Sequence, residues 1–153
     1  MKDLRESLGL SIEWVAEQTG MSANSIKNIE SGAKKAPQSV MNFLKQIDDV
    51  INQSVNQAAE QITEAERLTG ALPEQLDLVR YNNDADLWRY QPEFKPLPAT
   101  CHAALINRLM DKIKPLGVPI HLVWLRPEEY ETWLNGREDS SEMRAMWASE
   151  QEL

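Results

Sequence analysis

The sequence predicts a mainly α-helical protein with a small α+β part towards its C-terminus. Three observations indicate this fold class. Residues 15–32 have the spacing of two helices joined by a tight turn. Apolar side chains recur at helical intervals over residues 40–65, and only two short stretches, 75–81 and 119–125, have the composition of β-strands. We therefore expect a helical N-terminal half followed by a two-stranded unit.

The first 32 residues are expected to form three short helices. The first covers residues 2–8 and ends at Gly9, which can adopt the left-handed conformation that terminates helices. Ser11 and Ser22 are placed to cap the second and third helices, because a serine side chain accepts a hydrogen bond from a free backbone amide of the first turn. Trp14 lies on the second helix, where we expect it to be half exposed and to pack against the C-terminal region.

Residues 15–32 also specify how the second and third helices meet. Ala16 is small enough for two helices to cross closely, and Gly20 can take the positive φ that a tight turn requires. Val15, Ile26 and Ile29 are placed to hold the third helix against the second. The other face of the third helix then carries small and polar side chains: Ser22, Ala23, Asn24, Lys27 and Asn28.

This pattern strongly resembles the Cro/C1-type (XRE) helix-turn-helix of phage and bacterial repressors. The residues that carry the resemblance are the run 5–11, with the sequence RESLGLS, and Val15, Ala16, Gly20, Ser22, Ile26, Ile29, Glu30 and Gly32. The resemblance covers residues 1–45 and implies a lambda-repressor-like helical bundle that binds DNA. It also implies that Arg5 pairs with Glu30, a structural bridge between the first helix and the end of the third.

The same resemblance implies a DNA-binding surface. The positions of Ser22, Ala23, Asn24, Lys27 and Asn28 lie in the major groove in such proteins, and those of Lys34 and Lys35 approach the phosphate backbone. We also assign phosphate contacts to Ser11, which caps the second helix, and to Ser25, which lies in the first turn of the third. Family members often have glutamine where Ile12 and Ala23 stand here, so two familiar polar contacts are absent. Asn24 and Asn28 suit adenine, and Ala23 suits a thymine methyl group.

A long helix is expected over residues 37–69. Pro37 suits a first turn, and Gly70 with Pro73 suits the end. The spacing is not a strict heptad, which favours globular or antiparallel packing over a parallel coiled coil. Its apolar face is formed by Val40, Leu44, Ile47, Ile51, Val55, Ala58, Ile62 and Ala65. The distal part needs a partner, supplied by the C-terminal region, a second subunit or both.

Residues 74–136 are expected to form an α+β dimerisation or partner domain. Two strands, 75–81 and 119–125, enclose a short aromatic helix with Leu87, Trp88 and Tyr90, and a second helix with its apolar face at Ala104, Leu105, Leu109 and Ile113. Another helix starts at Pro127 and stops at Gly136. Residues 137–153 form a short docked helix, with Met143, Met146 and Trp147 on one face, or a frayed tail. Two strands alone make a marginal sheet, which favours completion by a second subunit.

The order of these parts is also similar to that of the autoregulators encoded beside anti-CRISPR genes and their uncharacterised bacterial relatives. Residues 29–40, with the sequence IESGAKKAPQSV, carry most of this likeness. The strand and helix after Gly117 extend beyond the shorter members of that group.

Charge is divided unevenly along the chain. The 153 residues carry a net charge of −8. Residues 1–45 hold six basic and five acidic side chains, which gives +1, and the remaining ten basic and nineteen acidic side chains give −9. Lys27, Lys34 and Lys35 fall in the first part, whereas the acidic remainder should repel DNA.

Composition and motifs argue against other classes of protein. Residues 1–10 do not form a signal peptide, and no run of eighteen apolar residues is present, so we expect a cytoplasmic protein with no membrane partner. The single cysteine, Cys101, excludes an internal disulfide and a cysteine-rich zinc site. Cys101 and His102 are adjacent, so on a helix they point to different faces and do not form a nucleophilic couple. His121, within a strand, is expected to be a hydrogen-bonded structural residue.

We therefore expect no enzyme, no cofactor and no metal. Glu128 and Glu129 lie in a helix first turn, where the helix dipole explains them. Trp88, Trp124 and Trp133 are expected in the core or a dimer interface, rather than around an effector pocket.

The sequence thus predicts a sequence-specific, homodimeric transcriptional regulator. It would be a repressor that binds double-stranded DNA at an inverted repeat through residues 22–31. The alternative is an antitoxin-type module whose acidic C-terminal region binds a protein partner and whose DNA binding is secondary. An effector-sensing regulator is a third hypothesis.

Overall fold

The computed structural model describes residues 1–152 and is mainly helical, with a two-stranded parallel sheet in its C-terminal half. The fold class predicted from the sequence is confirmed at this level. The helices are α1 Lys2–Ser7, α2 Ile12–Thr19, α3 Ala23–Glu30, α4 Gln38–Thr69, α5 Asp84–Tyr90, α6 Ala99–Ile113, α7 Pro127–Leu134 and α8 Ser141–Ser149, and the strands are β1 Leu76–Arg80 and β2 Ile120–Trp124. Within residues 1–152, no helix has the length and apolar character needed to cross a lipid bilayer.

The chain divides into two compact units, Met1–Ser54 and Val55–Leu153. The boundary falls inside α4, 32 residues long, so α4 contributes its first half to one unit and its second half to the other. Below, the two are called the N-terminal unit and the C-terminal unit.

In the N-terminal unit, local signals begin and end the helices at the expected serines and glycines. The Ser11 side chain accepts a hydrogen bond from the Trp14 amide at 3.0 Å, and the Ser22 side chain accepts one from the Ser25 amide at 3.0 Å. Gly20 has φ +70°, a left-handed conformation in which a side chain would be strained. The helices enclose a core whose fully buried side chains are Leu8, Val15, Ile26 and Leu44.

Trp14 is half-buried, and its ring packs on the first half of α4 within the N-terminal unit. Its ring stacks on that of Phe43, with the ring centroids 5.9 Å apart and the planes inclined by 18°. The Trp14 side chain on α2 thus points towards the first turns of α4, where Phe43 provides an aromatic ring for it to stack on.

The apolar face of α4 ends earlier than its sequence predicts. Val55 and Ile62 are buried in the C-terminal unit, with Ala59 between them. Ala65 was expected on this face but is exposed, as is every residue from 63 to 70. The reason is that no element within residues 1–152 buries the last two turns of the helix, so its apolar periodicity extends further along the chain than its packing does.

The sheet of the C-terminal unit is parallel, with Leu76 aligned to Ile120 and Arg80 aligned to Trp124. The β1 and β2 side chains Val79 and Val123 belong to the main core cluster of this unit. The buried members of that cluster are Tyr81, Leu87, Tyr90, Val123, Leu125, Tyr130, Leu134, Trp147 and Ala148.

Two predicted helix faces are rotated in the structure. On α6, Ala104 and Leu105 are only half-buried, and the buried face instead runs through His102, Ile106, Leu109 and Ile113, with Cys101. The buried face includes His102, which is not apolar. A prediction from apolar periodicity alone therefore centred the face on Leu105 instead of Ile106.

On α8, Met146 is 52 % exposed, and the buried residues beside Trp147 are Arg144 and Ala148. Arg144 is buried because it has acceptors: its guanidinium donates to the Asp139 carboxylate at 2.6 Å and to the Tyr90 carbonyl at 3.2 Å. The tail is therefore a docked helix over Ser141–Ser149.

Candidate nucleic-acid interface

The pair α2 and α3 forms a helix-turn-helix whose inner face is apolar. Val15 and Ile26 are fully buried, and Ala16 is 6 % exposed where the helices meet. The chain turns at Gly20, and the next amide, that of Met21, donates back to the Ala16 carbonyl at 3.1 Å. These contacts hold α3 in one orientation and leave its opposite face in solvent.

A buried ion pair ties α1 to the end of α3. The Arg5 Nε donates to Glu30 Oε1 at 2.6 Å, and its Nη2 donates to Oε2 at 3.2 Å. The Arg5 Nη1 donates to the Leu10 carbonyl at 2.8 Å. The side chains of Arg5 and Glu30 are only 9 % and 6 % exposed. The pair implied by the family resemblance is therefore present, as an internal bridge and not as a surface group.

The outer face of α3 presents short polar side chains to solvent. Asn24, Lys27 and Asn28 are exposed, and Ala23 is half-buried beside them. No hydrogen bond to another residue in 1–152 engages the carboxamides of Asn24 or Asn28. Both side chains can therefore turn towards a ligand without losing an internal contact.

Two of the predicted hydroxyl groups already serve as helix caps. Ser22 Oγ accepts from the Ser25 amide and donates to Ser25 Oγ at 3.0 Å, so its hydrogen-bonding capacity is largely used within the turn. Ser11 Oγ accepts from the Trp14 amide. Ser25 Oγ, by contrast, accepts from Ser22 and retains its own hydrogen for an outside acceptor.

The loop after α3 returns its lysines to the end of the helix. The Lys34 amide donates to the Asn28 carbonyl at 3.1 Å, which fixes the loop backbone against α3. Gly32 has φ +85°, and this left-handed residue allows the chain to reverse there. The side chains of Lys34 and Lys35 are exposed. Lys27, Lys34 and Lys35 thus form a small basic edge beside the polar face.

Cys101 and His102 of the C-terminal unit are buried, and His121 is half-buried in β2. Burial raises the pKa of Cys101 to about 12, and burial with the nearby charges of Arg80 and Arg144 lowers the pKa of His102 to about 4. Both side chains are therefore neutral at pH 7, and a thiolate–imidazolium pair does not form. His121 Nδ1 lies 2.9 Å from Asp77 Oδ1, which satisfies it as a hydrogen-bonded strand residue. Within residues 1–152, no cluster of three potential metal ligands is present.

The three tryptophans considered for an effector pocket lie in different surroundings. Trp88 Nε1 donates to the Leu97 carbonyl at 2.9 Å, and Trp133 Nε1 donates to the Glu150 carboxylate at 2.6 Å. Both rings pack against the core cluster. Trp124 is 45 % exposed, with the Arg80 guanidinium 4.6 Å from its ring centre.

Sequence inspection missed several polar partners in the C-terminal unit. Asp139 receives hydrogen bonds from Arg144 and from the Tyr130 hydroxyl, and the Tyr90 hydroxyl donates to Glu131 at 2.7 Å. These residues are separated along the chain or lie in a polar stretch, and no local pattern marks them as partners.

The structure defines a mainly α-helical protein with a small two-stranded parallel sheet, in which two short N-terminal helices are joined by a tight turn at Gly20. The chain belongs to the DUF4447 family, described as a domain of unknown function, whose model matches residues 1–152. No curated protein matches the chain.

Proposed function

We propose that this protein is a cytoplasmic, sequence-specific DNA-binding transcriptional regulator of the XRE type, built on a lambda-repressor-like bundle. It acts as a homodimeric autorepressor at an inverted repeat near its own promoter. The observation that carries the proposal is the exposed polar face of α3, held in a fixed orientation by the buried pair of Arg5 and Glu30.

The base contacts would come from the exposed face of α3 in the major groove. The carboxamides of Asn24 and Asn28 match the donor and acceptor that adenine presents there, and Lys27 matches the acceptors of guanine. Ala23 would contact a thymine methyl group. Ser22, whose hydroxyl is engaged in the cap, would contribute mainly by letting the backbone approach the base edges.

The phosphate contacts would flank this face. Lys34 and Lys35 supply positive charge, and the loop bond from Lys34 to Asn28 keeps both beside α3. The N-terminal amides of α2 and α3 lie beside Ser11 and Ser25, and such amides favour anions because they have no partner within the helix. Phosphate contacts of this kind set the register of a protein on DNA, and the base contacts set its sequence preference.

The surface is too small for one copy to bind tightly. Residues 1–45 carry a net charge of only +1. Two copies related by a two-fold axis would place two α3 helices in major grooves one turn apart, about 10–10.5 bp from centre to centre, or a multiple of it. The operator is therefore expected to be an inverted repeat.

Selection of binding sites from random duplex DNA with the full-length protein tests this proposal. We expect enrichment of an inverted repeat. A matched control, with Asn24, Lys27 and Asn28 all replaced by alanine, should enrich no motif while its circular dichroism spectrum stays that of the wild type. Absence of an enriched motif for the wild-type protein would contradict the proposal.

An antitoxin-type function is the second candidate, favoured by the charge of the C-terminal unit. From residue 55 onwards, ten basic and seventeen acidic residues give −7. Such a surface suits a basic protein partner. If the product of a neighbouring gene is basic and arrests growth, co-expression of this protein should restore growth, and co-expression of residues 1–54 alone should not.

A further inference from the structure

The outer edge of β2 has no hydrogen-bonding partner within residues 1–152. The Leu76 amide donates to the Pro119 carbonyl and the Leu125 amide donates to the Arg80 carbonyl, both at 2.8 Å. In a parallel ladder, alternate residues of a strand bond to the same neighbour. The backbone amides and carbonyls of His121 and Val123 therefore face β1. Those of Ile120, Leu122 and Trp124 point away from it.

The sequence of β2 lacks the usual protection of a strand edge. Natural edge strands carry charged side chains, proline or bulges that prevent pairing with another chain. β2 reads IHLVW, with no Asp, Glu, Lys or Arg. Its last residue, Trp124, is 45 % exposed. An exposed tryptophan on an unprotected edge is typical of an interface, where tryptophan often carries much of the binding energy.

We propose that β2 pairs with β2 of a second copy of this chain, antiparallel and about a two-fold axis at Leu122. The product is a four-stranded sheet in the order β1, β2, β2, β1. The inference deepens the proposed function, on which it rests, by assigning the surface that forms the homodimer.

The antiparallel arrangement matches the pattern of the strand. With Leu122 opposite the same residue of the partner, Ile120 lies opposite the partner's Trp124, and all the outward-pointing groups fall in hydrogen-bonded pairs. A large aromatic ring then packs against a β-branched side chain, one of the favourable cross-strand pairs. The Arg80 guanidinium over the Trp124 ring limits its rotamers before association.

Charges at the two ends of β2 favour a second copy in this direction. Asp111, Lys112 and Lys114 precede the strand and together carry +1, whereas Arg126, Glu128 and Glu129 follow it and together carry −1. Glu129 is paired with Arg126 at 2.6 Å. No ion pair within residues 1–152 engages Lys112, Lys114 or Glu128, and all three are exposed. Antiparallel pairing brings the basic end of one strand towards the acidic end of the other, whereas parallel pairing would bring like charges together.

Hydrogen exchange of the full-length protein tests this interface directly. At high protein concentration, the amides of Ile120, Leu122 and Trp124 should be protected, and dilution should remove their protection as the mass in solution falls from dimer to monomer. The amides of His121 and Val123 are the internal control, because they bond to β1 and should stay protected throughout. Fast exchange of the three outward amides at every concentration would overturn the proposal.

A charge-pair experiment tests the register. Ile120→Glu alone and Trp124→Lys alone each place a charge opposite an apolar side chain, and each should give a monomer. The double variant places opposite charges against each other only across the two-fold axis, since the two positions lie far apart within one strand, and should recover dimer. A folded double variant that stays monomeric, or a folded single variant that stays dimeric, would contradict this register.

The same variants separate this inference from the proposed function. A monomeric Ile120→Glu variant should still prefer half of the selected operator but bind the full operator much more weakly than the wild type. If the wild type is a dimer through β2 yet enriches no DNA motif, the interface stands and the DNA-binding function fails. If a motif is enriched while β2 stays unprotected, the interface fails alone.

Discussion

Arg5 and Glu30, 25 residues apart in the chain, form a bidentate ion pair at the base of α3, with Nε 2.6 Å from Oε1. Both side chains are almost completely buried, and a third guanidinium nitrogen binds the Leu10 carbonyl. Bidentate geometry fixes the direction of both groups as well as their distance. The pair therefore sets the orientation of the helix that presents the polar face.

Removing one partner of this pair should destabilise the N-terminal unit. Glu30→Ala leaves the Arg5 charge buried without its carboxylate, which costs about 3–5 kcal/mol. Exchange of the slowest amides in α2 and α3 measures this loss, since the two units need not unfold together. The double variant Arg5→Met with Glu30→Leu is the control and should recover most of the stability. Equal stability of Glu30→Ala and wild type would show that the bridge is dispensable.

Asn28 is expected to read one base pair. Asn28→Ala should lower discrimination at one operator position by about 1–3 kcal/mol, because a bidentate contact to adenine is lost. Competition binding with single-base operator variants measures this directly. Asn42→Ala, which changes an exposed asparagine outside α3, serves as the matched control. An unchanged ratio of specific to random binding would remove Asn28 from the reading face.

Lys34 is expected to bind phosphate. Lys34→Ala should weaken binding to specific and random DNA alike and reduce the slope of log K against log salt by about one, because one counterion fewer is released. Titrations at several salt concentrations give the slope. Lys95→Ala, which changes an exposed lysine of the C-terminal unit far along the chain from β2, should leave the slope unchanged. A loss confined to one DNA sequence would instead indicate base recognition by Lys34.

His102 should make the C-terminal unit sensitive to acid. Its pKa of about 4 in the folded protein lies below the ordinary 6.5, because burial and two arginines disfavour its charged form. As the pH drops, His102 is protonated at a higher pH in the unfolded chain than in the folded protein. Proton binding therefore favours the unfolded state, and the free energy of unfolding falls between about pH 6.5 and about pH 4. The loss should reach about 3 kcal/mol at and below pH 4.

The variant His102→Phe checks this assignment. Phenylalanine preserves the edge contacts with Tyr81 and Phe94, whose ring centroids lie 5.2 and 5.3 Å from that of His102. Unfolding of the C-terminal unit followed by hydrogen exchange at pH 7 and pH 4 should show a smaller difference for the variant than for the wild type. Identical pH dependence in both proteins would mean that carboxylates alone cause the acid sensitivity.

Helix boundaries were predictable from the sequence because their causes are local. A serine before a helix, a glycine after it and the 3.6-residue periodicity act within a few residues of one another. Ser11, Gly20 and Ser22 illustrate this, as does the continuous helix Gln38–Thr69. The exposed face of α3 follows from the same periodicity, because Ile26 and Ile29 determine which side is buried.

Side-chain partners across the fold were predictable only where a family pattern supplied them. The pair of Arg5 and Glu30 came from such a pattern, whereas the stacking of Trp14 on Phe43 and the burial of Arg144 against Asp139 did not. A charged residue can be buried when other groups satisfy its hydrogen bonds. One acceptor of Arg144 is the carbonyl of Tyr90, 54 residues earlier in the chain, and nothing in the sequence around Arg144 indicates this partner.

The sequence by itself determined the helices, the two strands and the chemistry of the outer face of α3, because periodicity, capping and turn residues are short-range properties. Only the tertiary structure decided where α4 ceases to be covered, which face of α6 is buried and that the two strands are parallel with the outer groups of β2 unpaired. These features depend on contacts between residues far apart in the chain, whose free energy is not encoded at any one position.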